Sequence, residues 1–188
     1  MNFLKVITEV VGALEAAGIR YATIGGFAMA LRGVQRATVD LDFILMLDDL
    51  AKADEILRGF GYARAFRSEN VSHYLSSDGD WGRIDLLHAF RGPTLGMLRR
   101  AEPIEIEPGV TLRVVQIEDI VGLKVQALCN DPSRAENDWH DIRQLVRTAR
   151  EQDVPLDWDL VADYLKLFGL LDRITELKTH HGTTDQSR

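Results

Sequence analysis

Two aspartates one residue apart sit inside an apolar run, Val39-Asp40-Leu41-Asp42-Phe43-Ile44-Leu45-Met46-Leu47. This run constrains the chain more than any other feature. Alternate side chains of a strand share a face, so Asp40 and Asp42 point the same way, with Val39, Leu41 and Phe43 opposite. Two like charges about 4 Å apart repel by about 4 kcal/mol at an effective dielectric near 20. A fold holds such a pair when it is solvated, shares a proton or binds a cation. Magnesium prefers these oxygen ligands and completes its shell with waters and phosphates. Taken alone, Asp-x-Asp is more often a solvated pair at the beginning of a strand.

The residues upstream shift that balance. Tyr21–Ile24 is short and apolar, and Gly25-Gly26 follows at once, ahead of the helix-like run Phe27–Leu31. Glycine lets the backbone approach a ligand closely, and the amides that open a helix suit phosphate. A phosphate cradle followed by paired acids is one half of a nucleoside triphosphate–magnesium site. Asp85 offers a third ligand, as an acid embedded in Arg83-Ile84-Asp85-Leu86-Leu87. A lone buried carboxylate is costly and needs a partner, unless it faces solvent on an edge strand. If its strand lies beside 39–47, Asp85 joins Asp40 and Asp42 around two metals, an arrangement suited to in-line phosphoryl transfer.

The remaining pattern reads as a mixed sheet followed by helices. Phe3, Val6, Ile7, Val10, Val11 and Leu14 recur at helical spacing and predict one helix ending at Gly18. Asp48-Asp49 is expected to cap a helix that runs to about Arg58. Val71–Leu75 and Arg83–Leu87 predict two strands joined by a turn-rich segment. Pro93–Arg100 predicts a short helix. Ile104–Glu107 and Thr111–Val115 flank Pro108-Gly109, a hairpin signal. Helices follow over 117–130, 135–152 and 157–168, with a further turn or two over 170–178. The tail from Thr179 is polar and expected to fray. The fold class is α+β: a mixed β-sheet core with flanking helices and a C-terminal helical segment.

In the helical half, Lys124 falls inside the apolar stripe of Ile117, Ile120, Val121, Val125 and Leu128. A lysine there either snorkels to solvent or meets an anion. Asp138 repeats the oddity on the apolar side of the next helix, and Asp141 lies near its edge. One reading is a structural ion pair between Lys124 and Asp138. The other puts Lys124 on a triphosphate, with Asp138 positioning it or serving the acceptor.

Composition narrows the classes. The chain has 188 residues, 46% of them hydrophobic and 27% charged, enough for one well-buried core. No apolar run approaches the length of a membrane span, and Met1-Asn2-Phe3-Leu4-Lys5 reaches charge too soon for a secretory signal. Cys129 is the single cysteine, so a reducing cytoplasm is expected. A net charge of −7 argues against broad, non-specific grip on nucleic acid, although arginines cluster before Ala101. His73, His88 and His140 lack metal-ligand spacing, and neither a Walker A lysine loop nor a serine nucleophile elbow is present. Trp81, Trp139 and Trp158 are expected to pack, and Tyr74 and Phe90 could pack or line a base pocket.

The ordered set Gly25-Gly26, Asp40-x-Asp42 and Asp85 resembles the DNA-polymerase-beta-like nucleotidyltransferase superfamily. Within it, Arg36-x-Thr38-x-Asp40-x-Asp42, then Lys124-x-x-Ala127 and Asp138-x-x-Asp141-Ile142, are most similar to the AbiEii-type enzymes, which include toxins of type IV toxin–antitoxin systems. The resemblance covers about residues 20–150. It implies a catalytic core over 1–116, a helical part packed on it over 117–178, and a disordered tail over 179–188. Asp40, Asp42 and Asp85 would ligate two magnesium ions, or manganese in their place. Asp85 would also help deprotonate the acceptor hydroxyl, and Lys124 and Asp138 would join the catalytic set. Gly25, Gly26, Arg36, Thr38 and Lys124 would contact the nucleoside triphosphate. A nucleoside monophosphate would pass to a hydroxyl of tRNA or other RNA, of protein or of a small molecule, with a cognate antitoxin as a further partner and no membrane. The chain is shorter than many toxins of that group. The alternative is a non-catalytic module of this fold that binds nucleotide or partner.

Overall fold

The computed structural model describes residues 1–182. By internal contacts the chain forms two compact units: Met1–Leu31 with Arg36–Val115, and Arg32–Gln35 with Gln116 onward.

The first unit is built on a seven-stranded mixed sheet. Its strands are β1 (Tyr21–Ile24), β2 (Asp40–Met46), β3 (Ala63–Arg67), β4 (Val71–Leu75), β5 (Arg83–Ala89), β6 (Glu102–Glu107) and β7 (Val110–Val114). Their order across the sheet is β3-β4-β5-β2-β1-β7-β6. β2 is central because both its neighbours need its apolar residues: Leu41, Phe43, Ile44 and Leu45 are fully buried. Each such side chain contributes about 1.5–3 kcal/mol by leaving water. β1 runs antiparallel to β2, and β5 runs parallel to it. Pro108-Gly109 closes the hairpin of β6 and β7, as the sequence predicts, and pairs Glu107 with Val110. Pro103 is tolerated because β6 is an edge strand.

Helices α1 (Phe3–Val6) and α2 (Gly12–Ala16) are joined by a π-helical turn, Ile7–Val11, so the single expected helix carries a wide turn in its middle. Its stripe of Val6, Ile7, Val10, Val11 and Leu14 is buried. α3 (Gly25–Leu31) follows β1 without a connecting residue. α4 (Leu50–Gly59) and α5 (Gly92–Arg100) complete the unit.

The second unit is helical: α6 (Ile117–Asn130), α7 (Ala135–Glu151), α8 (Trp158–Leu167) and α9 (Ile174–His181). Its core includes Ile120, Val121, Val125, Ile142, Leu145, Val146, Val161, Leu165 and Leu177. α6 and α8 pack so closely that a Cβ at Gly122 would lie 2.7 Å from the Tyr164 ring. Asp157 caps α8, accepting hydrogen bonds from the Asp159 and Leu160 amides at 3.1 and 3.0 Å. Such a cap contributes about 1 kcal/mol.

Four local expectations need correction. The sequence pattern misses β3, because as an edge strand it buries no side chain fully and shows no alternation. Val39 stands outside β2 and is 80% exposed, since the ladder with β5 begins only at Asp40. Asp49 makes no capping hydrogen bond; a 3-10 turn at Leu47–Asp49 leads into α4 instead. Thr179, His180 and His181 belong to α9 rather than to a frayed tail, and the rest of that expected tail, 183–188, lies outside the described residues.

Candidate active site

The parallel ladder of β2 and β5 places Asp42 directly opposite Asp85, and Asp40 opposite Arg83. Asp85 is therefore on an interior strand and not on an edge. Because β2 alternates, Asp40 and Asp42 join it on one face while Leu41 and Phe43 fill the other. Ligand atoms of Asp40, Asp42 and Asp85 all lie within 4.8 Å of one another, and each residue is half-buried.

The neighbours of each acid hold it in place. Thr38 donates its hydroxyl to Asp40 Oδ1 at 2.9 Å. The Gly26 amide donates to Asp42. Gly25 has φ of +67°, and a Cβ there would lie 2.6 Å from Asp42 Cγ and closer still to Oδ2. At Gly26 a Cβ would meet Thr38 Oγ1 at 3.0 Å and lie 3.7 Å from Arg36 Nε. What the two glycines admit in this structure is the acid-bearing segment itself, with Arg36 and Thr38 drawn against the start of α3.

Asp85 has two partners that sequence reasoning did not assign to it. Arg83 donates to both carboxylate oxygens, from Nε at 2.8 Å and from Nη2 at 2.6 Å. His73 Nδ1 lies 2.8 Å from Asp85 Oδ1. The signal was present in the hairpin. Leu75 pairs with Arg83 across the turn, so counting back two residues on β4 puts His73 opposite Asp85. Metal-ligand spacing along the chain is blind to a cross-strand neighbour.

The electrostatics follow from this crowding. Burial first, then the charges of Asp40 and Asp85, push the Asp42 carboxyl from its ordinary value of 3.8 up to about 7. Arg83 and the Gly26 amide work against that rise. Hydrogen bonding and the negative cluster, Asp85 foremost, push the Arg83 guanidinium upward. The donor set fits a hard divalent cation: three carboxylates of one face, converging, with an excess of negative charge that protonation only partly relieves.

In the second unit Lys124 and Asp138 do meet. Lys124 Nζ donates to Asp138 Oδ1 at 2.9 Å and lies 2.6 Å from Asp141 Oδ2, in ionic contact without hydrogen-bond geometry. Arg134 Nε donates to Asp138 Oδ2 at 3.2 Å. Lys124 is 12% exposed and both acids are buried, so it does not snorkel. Elsewhere Tyr74 packs fully buried and donates to Asp54 Oδ1 at 2.9 Å, which removes it from any base pocket. Trp139 is buried, and Trp81 packs among Phe60, Tyr62 and Lys5. No helix among the described residues is long and apolar enough to cross a membrane.

Residues 3–176 match the family described as nucleotidyl transferase of unknown function (DUF2204). Among solved structures, the chain is similar to ANT(2'')-Ia in complex with adenylyl-2''-tobramycin. The TM-score is 0.65 at 13% identity, over 89% of this chain and 99% of that one. It is also similar to an antigenic nucleotidyltransferase-like protein from Paracoccidioides brasiliensis, with a TM-score of 0.61 at 17% identity, over 97% and 93% of the two chains. The lincosamide antibiotic adenylyltransferase LnuA, lincomycin-bound, gives a TM-score of 0.54 at 15% identity, over 75% and 94%. Identities this low speak to the fold alone. No curated protein matches the chain.

Proposed function

The chain belongs to the nucleotidyl transferase family (DUF2204), and on that premise we propose that it moves a nucleoside monophosphate from a nucleoside triphosphate to an acceptor hydroxyl, with magnesium held by Asp40, Asp42 and Asp85. The observation that carries this reading is the convergence of three carboxylates from two adjacent parallel strands beside the Gly25-Gly26 turn. A divalent cation bound there supplies neutralising charge to the polyphosphate and to the attacking oxygen.

The protein's own residues do the rest by positioning. Thr38 orients Asp40, and the Gly26 amide pins Asp42. Asp85 completes the ligand set from the next strand and serves the acceptor hydroxyl. In the transfer, the acceptor oxygen bonds to the α-phosphorus as the bond from that phosphorus to the pyrophosphate oxygen breaks, and the hydroxyl proton passes to the Asp85 carboxylate and on to solvent. Arg36, drawn against Gly26, is assigned to the triphosphate together with Gly25, Gly26 and Thr38. The resemblance to AbiEii-type enzymes gives Lys124 a triphosphate role too; within its own helical unit it is held by a 2.9 Å bond to Asp138. In this reading residues 1–116 form the catalytic core and 117–178 the helical part.

The motif Arg36-x-Thr38-x-Asp40-x-Asp42 supports a place among AbiEii-type enzymes, with a cognate antitoxin as a partner to be sought in the cytoplasm. The net charge of −7 favours a small or cationic acceptor over RNA, because a negative surface repels a polyanion and attracts cations. The test is incubation of purified protein with each α-labelled nucleoside triphosphate, magnesium, and in turn total RNA, cell protein and a protein-free cell extract. Label should appear in the extract fraction and vanish with Asp42→Asn or with chelation. Label on RNA or protein would reassign the acceptor, and no label in any fraction would overturn the reading.

A further inference from the structure

Three arginines converge on one cavity of the first unit. Arg20 stands just before β1, Arg99 lies in the last turn of α5, and Arg113 is on β7. With Glu15, Tyr21 and Leu98 they line a cavity of about 470 Å³. Tyr21 pairs with Leu45 in the ladder of β1 and β2, three residues beyond Asp42. The cavity therefore opens at the other end of the sheet from the acid cluster, about 10 Å further along the strand.

The charge of this lining runs against that of the chain. Acidic residues outnumber lysines and arginines by 29 to 22, yet the cavity gathers three guanidinium groups around a single carboxylate. That carboxylate, Glu15, is already engaged, accepting the Tyr21 hydroxyl at 2.8 Å. Arg20 and Arg99 are exposed and make no ion pair or hydrogen bond among the described residues. Arg113 is steadied by the backbone: its Nη2 donates to the Ala101 carbonyl, and its amide donates to the Tyr21 oxygen at 3.5 Å. A guanidinium has five N–H donors, so this arrangement leaves most of those on Arg113 open.

Like charges held together repel, and an anion seated among them reverses that cost. Guanidinium groups match phosphate oxygens with paired hydrogen bonds, and several of them suit a ligand with more than one charged group. The volume falls in the range of small-molecule sites. We propose that this cavity binds a small molecule carrying a diphosphate, held by Arg20, Arg99 and Arg113 at a site separate from the acid cluster. It uses none of the residues assigned to nucleotide transfer and stands independently of that reading.

The test is isothermal titration of the purified chain with inorganic pyrophosphate and with adenosine diphosphate. EDTA is present, so that no metal draws either probe to Asp40, Asp42 and Asp85. Saturable binding is expected. Pyrophosphate binding more tightly than adenosine diphosphate assigns a free diphosphate, and the reverse order assigns a nucleotide. Changing Arg20 and Arg99 together to glutamine should weaken binding at least about tenfold, the loss of a charged hydrogen bond to a ligand. Both side chains are exposed, so the melting temperature should hold. Arg67→Gln, at an exposed arginine of β3 outside the cavity, should leave the affinity unchanged. Three results overturn the proposal: no saturable binding of either probe, equal affinity in the double variant, or an equal loss in Arg67→Gln, which would mark a general effect of charge. The titration requires no label transfer, so this proposal and the transferase reading fail separately.

Discussion

Gly25 is pressed against Asp42: a side chain at position 25 would overlap the carboxylate, at 2.6 Å from its Cγ. The backbone there has φ of +67°, a region that favours glycine. The turn between β1 and α3 thus serves the acid site by steric permission before any ligand arrives. Gly25→Ala is expected to cost about 1–3 kcal/mol from strain and overlap. The same variant should lose the thermal stabilisation that manganese gives, because Asp42 must turn away. Melting curves with and without manganese check both effects, and an unchanged manganese shift would remove Asp42 from the ligand set.

Asp42 predicts a pH dependence of definite sign. Its folded value, about 7, lies above the ordinary 3.8, so between those limits the folded chain binds more protons than the unfolded one. Stability from this group is fully present below the ordinary value and is lost as pH rises through about 7. The loss is on the order of a few kcal/mol. Urea unfolding at pH 5 and pH 8 without metal should show it, and Asp42→Asn should flatten the difference. Manganese must displace the proton, so its affinity should climb over the same interval. A manganese affinity independent of pH would contradict the assignment.

Arg83 is the internal counter-ion of the cluster, bound to both oxygens of Asp85. Arg83→Met removes the charge that holds Asp42 down and leaves three acids facing one another. The metal-free variant should be less stable than the parent at pH 8. Its gain in melting temperature on adding manganese should exceed the parent's gain. A smaller gain would mean that the guanidinium helps to hold the metal site together.

Lys124 separates two roles by one variant. Its ammonium lies between Asp138 and Asp141, both buried. Lys124→Ala strands those charges and is expected to cost about 3 kcal/mol, as breaking a buried pair does. Partial pairing of Asp138 with Arg134 limits the damage. Changing Lys124 to Met and Asp138 to Asn together should restore much of the stability. If the double variant folds well and still gains stability from a magnesium–triphosphate complex, the lysine is a tie between helices and not a nucleotide ligand.

The strands and helices were legible where burial imposes a period. β2 and the stripe of α1 and α2 are examples, each with one fully packed face. Where burial is weak the period vanishes, as in β3, and a strand goes unseen. Asp85 could be nominated from chemistry alone, because a carboxylate among Ile84, Leu86 and Leu87 needs a reason to be there. Its distance to Asp40 and Asp42 could not be had from spacing along the chain.

Composition and local order therefore determined the α+β class, the two glycines, the Asp40–Asp42 face and the apolar stripes. These depend on residues near one another in the chain and on the alternation of strand and helix. Tertiary structure decided that β5 lies parallel to β2 in the register that sets Asp85 against Asp42. It also decided that Arg83 and His73 attend Asp85, and that Lys124 lies between two acids. Those choices come from strand pairing and helix packing across long loops, where a shift of one residue turns every side chain to the other face.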